Sequence, residues 1–98
     1  MKYYVCKLTP PRPTFPQDMT PRELEIMQAH AAYCRQLLAS GKGIVFGPVA
    51  DPDGPWGLGV LQLPDDVDPQ AIIADDPVMK ANAGFVYRVL PMLQAATR

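Results

Sequence analysis

The chain has 98 residues, 48% apolar and 19% charged, with a formal net charge of −1, which suits one globular domain (1–98) with a single modest core. Nucleic acid or an anionic membrane surface would need a basic patch, and Lys and Arg form no cluster here. The apolar runs fall far short of the roughly 20 residues that cross a bilayer, no h-region follows Met1, and the two cysteines, Cys6 and Cys34, read as reduced, partly buried thiols of a cytoplasmic protein.

Lys2 to Leu8, rich in Tyr and Val, predicts a first strand. Proline then dominates: the chain holds 12 against roughly 5 expected from average usage. Pro10, Pro11, Pro13, Pro16 and Pro21 all precede the first helix. Proline fixes φ and removes a donor, so an extended, stiff connection is expected. Spanning the end of a sheet is the preferred reading, ahead of forming a pocket wall. Thr20-Pro21-Arg22-Glu23 carries an N-cap hydroxyl, proline at the first helical position and glutamate three residues after the cap. Leu24, Met27, Ala31, Cys34 and Leu38 recur at helical spacing until Gly41 stops the helix. Ile44 to Val49 and Gly57 to Leu63 read as a hairpin around the turn-rich Asp51-Pro52-Asp53-Gly54-Pro55. Asp68-Pro69 opens a shorter helix to about Ala74, and Phe85 to Leu90 closes the chain's strands.

The order β-α-β-β-α-β predicts an α+β, ferredoxin-like fold with a four-stranded antiparallel sheet. Two helices cover one face of such a sheet, and the other should alternate apolar with polar. Tyr3-Tyr4-Val5-Cys6, Ile44-Val45-Phe46 and Phe85-Val86-Tyr87 are instead apolar on both faces. Large exposed apolar patches are rare on monomers, so a homodimer through the sheet faces is expected.

His30 is the sole histidine, and imidazole is the side chain whose unperturbed pKa lies near neutrality. Its helical phase lies roughly 90° from the centre of the apolar stripe, which places it at the border of a groove between helix and sheet. Pro77 disfavours α conformation at Asp76, so the carboxylate of Asp76 can turn away from the second helix. A carboxylate on one imidazole nitrogen fixes the tautomer and raises the basicity of the other. The bland alternatives are a boundary histidine and a helix-ending Asp75-Asp76 pair. His30 and Cys34 are four apart, but two ligands do not make a zinc site. Asp51-x-Asp53-Gly54 lacks the later glutamate of a calcium loop and reads as a turn. Lys7 and Arg88 lie within strands, where edge protection is preferred over contact with an anionic ligand.

In order, "MKYYVCKL", "MQAHAAYCRQLLASGK", "IVFGPVADPDGPWGLGVLQL" and "ADDPVMKANAGF" resemble the YciI-like (YCII-related) family. The resemblance implies a ferredoxin-like fold, a dimer through the sheets and a His–Asp site in a cleft, which fall on His30 and Asp76. That family is similar in fold to muconolactone isomerase and the dimeric α/β-barrel proteins, and one branch resembles dehydrochlorinases of chlorinated hydroquinones. The proline-rich first connection departs from its pattern.

The expected function is cofactor-independent acid–base chemistry, isomerase or lyase in type, on a small organic molecule with an aromatic or cyclic skeleton. His30 would be the acid or base and Asp76 its orienting partner. His30→Ala is then expected to abolish turnover with little effect on stability. The alternative is a non-catalytic dimeric module that only binds a small molecule.

Overall fold

The computed structural model describes residues 1–98. Its elements are β1 (Lys2–Thr9), α1 (Pro21–Ala39), β2 (Gly43–Val49), β3 (Trp56–Leu63), α2 (Pro69–Ala74), α3 (Pro77–Lys80) and β4 (Val86–Pro91). The strands form one open sheet in the order β2-β3-β1-β4, with every neighbouring pair antiparallel. This is an α+β fold.

All three helices start by the same device. Thr20, Asp68 and Asp76 have extended backbones, and their side-chain oxygens accept the N–H groups of Glu23, Gln70 and Val78, with proline opening each helix. Such caps satisfy donors that have no partner within the helix. At α1 the capping box is complete, because Glu23 Oε1 accepts the Thr20 N–H at 2.9 Å. Gly41 adopts φ +80° just past its end. There the N–H groups of Gly41 and Lys42 donate to the carbonyls of Leu38 and Leu37. Helix α3 was not anticipated, although Asp76-Pro77 repeats the cap-plus-proline signal read at Thr20-Pro21 and Asp68-Pro69.

Cys6 pairs with Gly59 and Leu8 with Gly57, and this face of the sheet carries the helices. Two apolar clusters fill the layer between. One contains Cys6, Leu37, Leu61, Leu63, Ile72 and Ile73; the other contains Leu8, Phe15, Ile26, Val78 and Phe85. Strand alternation sends Lys7 and Arg88 to the opposite face. Strand β1 lies between β3 and β4, so edge protection does not apply to Lys7, whose Nζ lies 4.8 Å from the centre of the Trp56 ring. On that face Val45, Val86 and Leu90 remain 46%, 61% and 43% exposed.

Two expectations for the helix side require correction. The buried positions of α1 are Glu23, Ile26, Cys34 and Leu37, whereas Leu24 and Leu38 are exposed. The packed face is therefore rotated by about 80° from the apolar stripe, and His30 lies within it rather than beside it. The proline-rich connection is also not a simple span. It folds into a series of turns, buries Phe15, and sets that ring edge-on against Phe85 with centroids 5.5 Å apart. Arg12 holds it in place. Its two terminal nitrogens donate to Glu23 Oε2 and Oε1, both at 2.7 Å, and Nε donates to Asp18 Oδ2 at 2.9 Å. Proline stiffness restricts the chain, but this bidentate contact decides where the loop goes.

Two outcomes test this account. Phe15→Ala should cost about 3 kcal/mol in a denaturant titration; an unchanged midpoint would mean the loop contributes nothing to the core. The hydrogen bonds from Arg12, followed by that from the Thr20 N–H, hold the Glu23 carboxyl at about 2, below its usual 4.5. A lowered folded-state pKa gives stability that is complete above pH 4.5 and lost as pH falls through about 2. Thermal melts across that window should fall less steeply for Arg12→Gln than for wild type, and parallel curves would refute the clamp.

Candidate functional site

Asp76 is assembled from local rules and then surrounded by long-range partners. Capping α3 fixes its backbone, and Oδ1 accepts the Val78 N–H at 3.0 Å. Strand β4 brings the Tyr87 hydroxyl, which donates to Oδ2 at 2.8 Å. Helix α1 brings His30, whose Nδ1 lies 2.9 Å from Oδ1 and 2.8 Å from Oδ2. A carboxylate only accepts, so Nδ1 carries a proton and donates it. Asp76 is 2% exposed, and no buried side-chain nitrogen or oxygen lacks a partner. The sequence-predicted pair is thus in direct contact. Asp75 is not part of it: its side chain is largely exposed, 4.0 Å from Lys80 Nζ.

Burial disfavours a charged imidazole, but the hydrogen bond from His30 to Asp76, with Cys34 and the Asp76 charge, outweighs it and lifts His30 from 6.5 to about 9. His30 is therefore an imidazolium at neutral pH. Burial first, then the Asp76 charge, pushes Tyr87 far above the usual phenol range, so its hydroxyl stays protonated and donating.

With Nδ1 committed, Nε2 is the nitrogen available for chemistry. It lies 3.6 Å from Cys34 Sγ. His30, Cys34 and Tyr87 line a cleft of about 550 Å³, with Phe15, Met27 and Trp56 among its apolar walls. The volume suits a small-molecule site. Sequence reasoning missed Tyr87, which nothing local marks, and weighed the (i, i+4) spacing of Cys34 from His30 only as a metal pair. The proline-rich loop does form a wall, through Pro10, Phe15, Pro16 and Met19, which reverses the preferred reading of it. The turn at Asp51 is structural, its carboxylate accepting the Asp53 N–H and the Trp56 Nε1–H.

One atom each from His30, Cys34 and Asp76 lie within 4.8 Å of one another, a spacing at which side chains can also hold a metal. Both Asp76 oxygens already accept from neighbours, so the contacts present are those of a hydrogen-bonded relay.

The family model of the YCII-related domain matches residues 1–93. The chain belongs to that family. No curated protein matches it. Within this YCII-related domain the match spans every element that builds the cleft, from β1 through β4, so the pair and its cleft lie inside the family's own domain.

An imidazole titration followed by NMR checks the site electrostatics. His30 should titrate near 9 and fall in Asp76→Asn, because burial is then opposed by Cys34 alone; a pKa unmoved by the substitution would dissolve the pair. Since the folded-state value is raised, the pair's stabilisation is complete below pH 6.5 and lost as pH rises through about 9. His30→Ala strands a buried carboxylate and should cost about 3 kcal/mol, contrary to the sequence-based expectation of little effect. His30→Asn keeps an N–H near the Nδ1 position and should cost less.

Proposed function

We propose that this chain is a cofactor-independent acid–base enzyme of isomerase or lyase type, in which His30 exchanges a proton with a small organic molecule held in the cleft. The observation that carries this reading is the division of the imidazole. Nδ1 is fixed to a buried, fully partnered carboxylate, and Nε2 is left for a ligand in an apolar cleft. With His30 lifted to about 9, Nε2–H donates first, to a carbonyl or leaving-group oxygen, and the imidazole so formed takes up the C–H proton. Asp76 stabilises the charge and holds the ring; Tyr87 and the Val78 N–H hold Asp76. Apolar walls favour an aromatic or cyclic skeleton. Arg35 at the cleft, exposed and outside every ion pair, suits an anionic substituent.

The strand order, read from the other edge as β4-β1-β3-β2, supports a ferredoxin-like arrangement within this proposal. The exposed Val45, Val86 and Leu90 on the helix-free face support a homodimer of packed sheets.

Solvent deuterium exchange tests the chemistry. A panel of small cyclic ketones and lactones is incubated with the protein in D₂O and followed by proton NMR. Enzyme-dependent loss of a C–H signal that disappears with His30→Asn is the expected result. Saturable binding of panel members with no exchange would favour the alternative, a non-catalytic small-molecule-binding module. The assembly is tested by light scattering: a mass twice 10.8 kDa that falls to the single chain in Val45→Glu is expected, and a monomeric wild type refutes it.

A further inference from the structure

The proton relay does not end at His30. Cys34 stands one helical turn further along α1, its Sγ 3.6 Å from Nε2 of His30, and it lines the cleft. The contacts run from thiol to imidazole to carboxylate, then to the Tyr87 hydroxyl and Val78 N–H that fix the carboxylate. Nucleophilic cysteines need a base or cation at the sulfur, and that group needs an orienting partner. Both are present. We propose that Cys34 is a nucleophile that adds to conjugated unsaturated carbonyl compounds bound in the cleft, with His30 carrying its proton. This deepens the acid–base reading and rests on the same His30–Asp76 relay.

The addition balances with no further reactant. The reactive form is the thiolate beside the Nε2–H imidazolium, the proton given up by Cys34 being the one His30 carries. Sulfur bonds to the β-carbon, the π pair moves toward the carbonyl oxygen, and the resulting enolate takes the Nε2 proton at its α-carbon. The product is a thioether, and His30 is left as the free imidazole, which regains a proton from water. If instead the enolate intermediate rotates about the former double bond and then expels the thiolate, a cis alkene becomes trans, which is isomerase chemistry with no cofactor.

The chain supplies its own control. Cys6 is also a free, buried thiol, but it does not line the cleft, and no imidazole touches it. Burial, then the nearby Cys34, pushes its thiol up to about 11. A reaction that depended only on thiol content would treat the two alike.

The test uses the intact protein and N-ethylmaleimide, an activated alkene, with each cysteine followed by peptide mass spectrometry. At pH 7 Cys34 should be alkylated about tenfold faster than Cys6 or more, and Cys6→Ser should leave that rate unchanged. His30→Asn should slow Cys34 by about tenfold, with the rate recovering as pH rises toward about 10, where hydroxide replaces the imidazole as base. Asp76→Asn gives a second route to the same loss should His30→Asn fold poorly, as judged by circular dichroism. Equal rates at the two cysteines, or a Cys34 rate indifferent to His30 and Asp76, would overturn the proposal. An inert Cys34 with deuterium exchange retained defeats the nucleophile and leaves the acid–base reading standing. Alkylation that requires His30 without any exchange does the reverse.

Discussion

The buried carboxylate of Asp76 is the constraint around which this molecule is arranged. An uncompensated buried ion costs several kcal/mol, a large share of the stability of a domain this size. Compensation comes from three separate elements: the Val78 N–H of α3, the Tyr87 hydroxyl of β4 and Nδ1 of His30 on α1. Each contact restricts a different degree of freedom. The α3 cap sets the backbone at Asp76. The His30 contact sets the position of α1 over the sheet. Tyr87 sets the register of β4, because slipping Leu8 against any partner but Tyr87 by one residue would turn that hydroxyl to the far face.

The same burial decides the protonation state. Desolvation alone would keep His30 neutral, and a neutral imidazole would be a base at pH 7. An adjacent carboxylate at 2.8 Å reverses the sign, since attraction at that separation is strong where water is largely excluded. The carboxylate therefore favours the protonated form of the ring. That positive charge lies beside Cys34, whose Sγ is 3.6 Å from Nε2.

The sequence marked these features unequally. Strands and the first two helices were legible because local signals carry them: Tyr- and Val-rich runs, turn residues and caps with proline. The His30–Asp76 pairing came with the family resemblance, since no local pattern says that the carboxylate reaches the ring. Helix α3 carried the same signal in Asp76-Pro77 but was obscured by reading that proline only as a breaker. Tyr87 was invisible because its role depends on the pairing of β4 with β1, which no local pattern states. The phase of α1 was misread for a physical reason. Apolar periodicity reports contact with apolar surroundings, and the wall of a cleft presents the same chemistry as a core. Met27, Ala31 and Leu38 of the apolar stripe line the cleft, whereas Ile26 and Leu37 fill the core.

That double use explains how a chain with so small a core keeps a cleft open. Collapse of α1 onto the sheet would bury the stripe, but two features oppose it. Phe15, held by the Arg12 clamp, occupies one end of the layer. On the floor, the Phe46 ring lies across Gly59, where a Cβ would come within 2.9 Å of its carbons. The glycine admits the ring, and the ring takes the place of the side chain β3 lacks. The apolar surface left over on α1 forms the cleft wall beside His30. A narrower apolar stripe on α1 would leave Asp76 and His30 in contact but wetter, and a wet imidazolium–carboxylate pair would lose much of the attraction that raises His30 above neutrality.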